Sequence, residues 1–261
     1  MLLSAWRFRH FILSSIHNDF RSRFTRNRLG SLWMILNPLA QVTIFAFVLS
    51  AVLSAKLPGI DNQYAYAIYL MAGTLAWSLF SEVVLRCLTL FIDNGNLLKK
   101  MAFPRICLPL IVTGTALVNN VLLLIAIIAI FALLGHLPGI DVLWLPSLYL
   151  INLALGLGLG LTLGILNVFI RDIGQVVPII FQFLYWLTPI VYMPTIIPET
   201  YRHWLAFNPM YHVVTAYQNI LVFNQYPEWS SLLTLGVVAT ILLGLALFLF
   251  RKASAEMVDV I

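Results

Sequence analysis

Few side chains in this 261-residue sequence combine a reactive type with a spacing that supports chemistry. Glu82 and Arg86 stand four apart inside an otherwise apolar run, acid first, the favourable order for an ion pair along one helix face. Ionisable groups in such runs are functional candidates by default. A proton relay needs further carboxylates or histidines in neighbouring apolar runs, and the sequence has none, so a structural pair is the favoured reading. Asn119, Asn120 and Gln182, also inside apolar runs, read as hydrogen-bond partners between helices rather than substrate contacts. Cys87 and Cys107 have no histidine or carboxylate cluster beside them and read as reduced packing residues. His136 stands alone, and His203 and His212 are nine apart. No nucleophile with its base and no carboxylate–histidine set at metal spacing occurs, so neither a catalytic residue nor a metal site is expected. The run from Gly156 to Gly160 is glycine-rich, but no strand precedes it and no Lys-Ser/Thr follows, which removes a phosphate loop. Gly156, Gly160 and Gly164 instead form a small-xxx-small row that lets helices approach closely.

The elements that must position these residues follow from composition. Hydrophobic residues make up 61% of the chain and charged residues 10%, with a mean hydropathy of +0.95. A soluble domain carries roughly 45–50% apolar and about 25% charged residues. A single water-soluble core is therefore excluded, since this chain cannot cover itself with polar surface. Charge-free windows run over Leu32–Ala55, Asn62–Ser81, Ile106–Ile140, Val142–Ile170 and Trp229–Phe250, with a weaker one at Ile173–Pro198. Each reaches or approaches the ~20 residues a helix needs to cross hydrocarbon. They are continuous rather than alternating, which favours helices over a barrel. The expected spans are 32–55, 65–88, 107–134, 145–168, 175–193 and 231–250.

Positive charge marks the cytoplasmic loops. Arg7, Arg9, Arg21, Arg23, Arg26 and Arg28 precede the first span, Lys99, Lys100 and Arg105 separate spans two and three, Arg171 separates four and five, and Arg251 and Lys252 follow six. Twelve of the fifteen basic residues thus fall on one side, which places both termini in the cytoplasm. That distribution also argues against nucleic acid as the partner of a chain with a formal charge of +5. The stretch 194–228 is apolar enough for a seventh span, but that would reverse Arg251 and Lys252, and Asn208-Pro209 interrupts it. Two short helices, about 198–206 and 210–223, dipping back from the outer face are expected instead; such backbone must be buried in protein or line a watery cavity.

The N-terminus lacks the layout of a cleaved signal. Phe8, Phe11, Ile12, Ile16 and Phe20 share one helical arc, with Asp19 and Arg23 intruding on it as an i,i+4 pair. An amphipathic helix in the inner interface is the better reading, an ordinary solvated basic tail the plainer one. Leu57-Pro-Gly-Ile-Asp61 recurs as Leu137-Pro-Gly-Ile-Asp141; turn chemistry reached twice is preferred over a duplicated hairpin. The chain is rich in aromatics, with 17 Phe, 10 Tyr and 7 Trp. Those within or beside spans, Phe45, Trp77, Phe80, Phe181, Tyr185, Trp186 and Tyr192, are candidates to line a passage, because aromatic faces stack on sugar rings without demanding one sequence of sugars. Lipid-facing packing is the competing role for each.

Several ordered segments resemble one family. They are Asp19-Phe-Arg-Ser-Arg-Phe24, Arg28-Leu-Gly-Ser-Leu-Trp-Met-Ile-Leu-Asn-Pro38, Asn96-Leu-Leu-Lys-Lys-Met-Ala-Phe-Pro-Arg105-Ile-Cys-Leu-Pro109, Arg171-Asp-Ile-Gly-Gln175, Thr188-Pro-Ile-Val-Tyr-Met-Pro194 and Asn208-Pro209. Together they resemble the membrane subunit of polysaccharide ABC exporters, type 2 ABC permeases that move O-antigen, capsular polysaccharide or teichoic acid. The resemblance implies an all-α integral membrane protein in one domain over 1–261. It comprises an interfacial helix in 1–31, spans one to five in 32–193, two outer gate helices in 194–229, span six in 230–250 and a cytoplasmic tail in 251–261. It further implies a coupling element at Gly95–Arg105 that presents Asn96, Lys99, Lys100, Phe103, Pro104 and Arg105 to a separate ATPase, with Arg171 and Asp172 as a second contact. Glu199, Arg202, His203 and Tyr211 fall on the polar faces of the gate helices.

The expected assembly is a homodimer with two ATPase subunits in the bacterial inner membrane. ATP and Mg sit on the partner, and this chain holds no cofactor of its own. The cargo is a lipid-linked polysaccharide, O-antigen foremost, whose head Arg21, Arg23, Arg26 and Arg28 guide in from among the membrane lipids. The alternatives are capsular polysaccharide, teichoic acid, a small lipid or drug as cargo, and more remotely a membrane-embedded glycan transferase.

Overall fold

Backbone polar groups in lipid have no partner but one another, so a long apolar run must close its own hydrogen bonds as a helix. The computed structural model describes residues 6–26, 36–37, 39–40, 43–44, 64–95, 99, 104–253 and 256–257, and all the regular structure in them is helical. Most of the expected first span lies outside the described residues, as do Phe45, Asn96, Lys100, Phe103 and Arg28. The elements in chain order are α1 (Arg9–Arg26), α2 (Ala65–Asp93), α3 (Cys107–Leu133), α4 (Leu145–Phe169), α5 (Ile173–Leu187), α6 (Glu199–Arg202), α7 (Pro209–Gln218) and α8 (Trp229–Ala253). Four of these, α2, α3, α4 with the 3-10 turn Ile140–Trp144 before it, and α8, are long and apolar enough to cross a membrane.

Helix α2 is the hub. It is buried along most of its length and makes its most extensive pairing with α4. The glycine row on α4 is the reason: a Cβ on Gly160 would stand 2.8 Å from Cys87 Cβ and 2.9 Å from Val84 Cα, and one on Gly164 would strike the Cys87 carbonyl. Cys87 is accordingly a packing residue, fully buried against that row. Gly158, on another face of α4, has Leu243 N of α8 at 2.8 Å from where a Cβ would be. α4 therefore carries small residues toward both neighbours, as expected where van der Waals packing drives helix association in lipid.

Three boundaries differ from the sequence reading. The fifth span was expected over 175–193, but α5 stops at Leu187 after 15 residues, about 22 Å at 1.5 Å per residue. Thr188 precedes Pro189, whose ring disfavours helical geometry in the residue before it, and Thr188 is extended at φ −92°, ψ 132°. Helix α2 runs to Asp93, five residues past its expected end at 88. Helix α8 continues to Ala253, so Arg251 and Lys252 form its last turn rather than a tail, where cations complement the helix dipole.

The stretch between α5 and α8 matches the two-piece expectation. The α6 turn and the 3-10 segment His203–Phe207 end at Asn208, and α7 then runs into one π turn, Asn219–Phe223. Asn208 caps α7 by accepting from Met210 N at 3.0 Å, with Pro209 in the first helical position. Most of α7 and the π turn is buried against α2, α4 and α8. The second Pro-Gly turn is fixed to this piece: Gly139 N donates to Asn224 Oδ1 at 2.7 Å, and His136 Nε2 bonds the Leu221 carbonyl at 2.9 Å. Asn224 is left-handed at φ 50°, a conformation asparagine tolerates.

Candidate functional site

Trp77 and Phe80 lie three apart on α2, and Phe181 and Tyr185 four apart on α5, so each pair shares one helix face. The four rings meet. Phe80 stacks on Phe181 at 5.5 Å, and Trp77 lies 5.8 Å from Phe181 and edge-on to Tyr185 at 5.6 Å. All four are buried, so in this structure they cover one another rather than face an open passage. Trp186, the next residue on α5, points outward and is 52% exposed. Tyr192 follows in the loop, its hydroxyl donating to the Leu187 carbonyl at 3.2 Å.

A ladder of side-chain amides ties the other spans to α2. Asn120 on α3 donates to the Leu75 carbonyl at 3.0 Å and to Ser78 Oγ at 2.8 Å, and Tyr149 on α4 donates to Asn120 Oδ1 at 2.8 Å. Asn152 donates to the Ala76 carbonyl at 2.9 Å. Asn119 donates to Glu82 Oε1 at 2.7 Å. These are interhelical partners, as expected for Asn119 and Asn120.

Glu82 and Arg86 form the expected pair at 3.3 Å, but Arg86 is also bound at 2.8 Å by Asp19 of α1. The sequence reading paired Asp19 with Arg23, whose side chain lies outside the described residues; the fold adds a bond from Asp19 across to α2. The ion pair to a neighbouring helix draws α1 onto the bundle, where Ile16 lies against Gly114 of α3. Arg21 is exposed on α1; Arg23 and Arg26 stand on the same helix, their side chains outside the described residues.

The cytoplasmic contacts implied by the resemblance follow α2 and α4. Lys99 is exposed, while Pro104 and Arg105 are half-buried at the start of α3. Arg171 and Asp172 are exposed on the turn between α4 and α5. The residues expected at the outer gate follow α5 in the chain. Glu199 and His203 are exposed, Arg202 donates to the Ile197 carbonyl at 3.2 Å, and Tyr211 alone borders a cavity of about 100 Å³ with His212, Asn219 and Glu228. Among the described residues no three His, Cys, Asp or Glu side chains form a metal set.

Sequence reasoning missed Tyr66, Tyr69 and Gln218. The break after α5 frees backbone carbonyls inside the bundle, and these side chains satisfy them. Tyr69 hydroxyl reaches the Pro189 and Tyr192 carbonyls at 3.2 Å, Gln218 Nε2 donates to the Pro189 carbonyl at 3.2 Å, and Tyr66 hydroxyl donates to the Val191 carbonyl. The available signal was the Thr188-Pro189 pair itself, since an unwound segment among apolar helices demands donors nearby.

Residues 11–222 match the family described as ABC-2 type transporter. The O-antigen export system permease protein RfbA of Myxococcus xanthus is 29% identical over 99% of this chain and 98% of its own. Its namesake in Klebsiella pneumoniae is 27% identical over 89% of this chain and 88% of its own. The polysialic acid transport protein KpsM of Escherichia coli is 26% identical over 90% of each.

Proposed function

This chain belongs to the ABC-2 type transporter family, and from that premise we propose that it is the channel-forming permease subunit of an ATP-driven exporter of lipid-linked polysaccharide. The carrying observation is the end-to-end likeness to O-antigen export permeases, which makes O-antigen the favoured cargo. Likeness to a polysialic acid transport protein favours capsular polysaccharide as the second reading.

The permease is a single domain over 1–261 with six spans, both termini cytoplasmic, in the bacterial inner membrane. Among the described residues of one copy, the aromatic rings between α2 and α5 close on one another. Two copies about a two-fold axis make room for a polymer, in keeping with the general preference for cyclic dimers. The outward face of α5, with Ile179, Ile180, Phe183 and Trp186 exposed, supports that arrangement. A separate ATPase binds ATP and Mg, and its closure pushes on Gly95–Arg105 and on Arg171-Asp172. The helices tilt, the seam between Trp77, Phe80, Phe181 and Tyr185 parts, and its rings offer stacking faces to passing sugars. The lipid head arrives from the inner leaflet along the arginines of the N-terminal helix, whose charge suits a phosphate linkage. The outer pieces carrying Glu199, Arg202, His203 and Tyr211 act as the exit gate.

Affinity purification of the tagged chain in mild detergent, with partners identified by mass spectrometry, tests this. A stoichiometric P-loop ATPase is expected, lost when Lys99, Lys100 and Arg105 are reversed to Glu. Recovery of the intact chain with no ATPase sinks the exporter reading, and turnover of a glycan donor by the purified chain replaces it with a transferase. Retention of both docking and export by the charge-reversed chain removes the coupling assignment.

A further inference from the structure

Asn167 sits in the last turn of α4 and is almost fully buried, 2% exposed. Its Nδ2 donates to the Leu88 carbonyl of α2 at 2.9 Å, and its Oδ1 accepts the Gly174 N–H of α5 at 2.8 Å. That N–H also leans on the Arg171 carbonyl at 3.1 Å, so the turn holding Arg171 and Asp172 is closed by the same hydrogen atom. One side chain thus holds the backbone of three helices at a single point. The surroundings leave little slack. A Cβ on Gly174 would stand 2.8 Å from Asn167 Oδ1, and Gly160 and Gly164 leave no room for a side chain between α4 and α2. A planar amide with donor and acceptor on opposite corners suits this bridge; no apolar side chain of similar size makes either bond.

The two elements that Asn167 joins are the two that approach the ATPase in the reading above, on which this inference rests. α2 leads directly into Gly95–Arg105, and the α4–α5 turn carries Arg171-Asp172. We propose that Asn167 is the positioning residue that makes these two cytoplasmic contacts move as one body, so that a push on either tilts α2, α4 and α5 together. A merely structural bridge predicts that its loss lowers stability. The coupling role predicts, in addition, that a folded, ATPase-bound variant hydrolyses ATP without exporting in proportion.

The test uses the full chain with its ATPase. Spin labels at Asp93→Cys and Gln175→Cys, both exposed positions flanking the bridge, report the distance between the two elements by pulsed dipolar spectroscopy. With Asn167 intact, the distance is expected to be the same in nucleotide-free and ATP–vanadate-trapped complexes. Asn167→Leu, which keeps bulk and removes both bonds, is expected to make it differ between those states. Polysaccharide displayed per ATP hydrolysed should fall roughly tenfold, the loosening expected from two lost hydrogen bonds. If Asn167→Leu does not fold, Gly174→Ala displaces the same amide by its methyl and should give both effects. An unchanged distance between states in the variant, or an unchanged export-to-hydrolysis ratio, overturns the inference. Independent motion of the two labels with Asn167 intact does so as well. Absence of any ATPase from the intact complex instead overturns the exporter reading itself.

Discussion

Arg86 Nη2 lies 2.8 Å from Asp19 Oδ2, a bond between α2 and α1 that spans 67 residues of sequence. Glu82 holds the same guanidinium from the other side at 3.3 Å, and Asn119 in turn donates to Glu82. Three helices therefore meet at one charge-assisted node in the C-terminal half of α2. An arginine is suited to this, since its planar fork serves two carboxylates at once.

The node predicts an asymmetric response to substitution. Arg86→Gln removes the shared cation from two half-buried carboxylates and should cost about 2–3 kcal/mol. Asp19→Asn leaves the Glu82–Arg86 pair intact and should cost about 1 kcal/mol or less, while releasing α1 to protease. Neutralising both members, Glu82→Gln with Arg86→Gln, should recover part of the loss. Thermal unfolding and limited proteolysis in lipid nanodiscs check this; equal costs for Asp19→Asn and Arg86→Gln would contradict the geometry.

The glycines of the spans should separate into two classes. Gly160→Val forces a branched side chain into Val84 and Cys87 and should destabilise by about 1–3 kcal/mol, with a matching drop in folded yield. Gly244→Ala meets nothing within 4 Å, and improved helix propensity should leave it neutral or stabilised by up to about 1 kcal/mol. Fluorescence-detected size exclusion after heating distinguishes them.

The unwound segment after α5 depends on donors from α2 and α7. Gln218→Leu removes the Nε2 bond to the Pro189 carbonyl, which the Tyr69 hydroxyl also reaches, and should cost about 1–3 kcal/mol. Gly73→Ala should act on the same contact from behind, because its Cβ would stand 2.9 Å from Gln218 Nε2. Combining the two should cost less than the sum, since both act on one hydrogen bond. Melting temperatures of the single and double variants decide this.

The aromatic seam separates a polymer exporter from an exporter of small lipids or drugs. Tyr185→Phe and Trp77→Phe keep a ring and should retain export. Tyr185→Ala opens the seam at a packing cost of about 3 kcal/mol. It should abolish polysaccharide display while the chain still binds its ATPase. Display that survives Tyr185→Ala in a folded complex would favour a cargo that needs no stacking surface.

Much of the architecture was legible in the amino-acid order, and the reason is local. Whether a run can sit in lipid depends on its own side chains and length, so the four described long helices follow the expected spans to within about five residues at each end. Asn208-Pro209 marks a break because a cap and a missing N–H act within one turn. The same holds for the glycine row, whose spacing alone puts it on one face. Pairings between distant segments were not legible. Asp19 binds Arg86, 67 residues on, and no local spacing announces that bond. Tyr69 serves carbonyls 120 and 123 residues away. Trp77, Phe80, Phe181 and Tyr185 were candidates as single rings, and only the packing of α5 on α2 decided that they close on one another. A side chain's type sets which bonds it is able to make. Which bond it makes depends on distances of a few ångströms between helices, and those are set by the packing of the whole bundle.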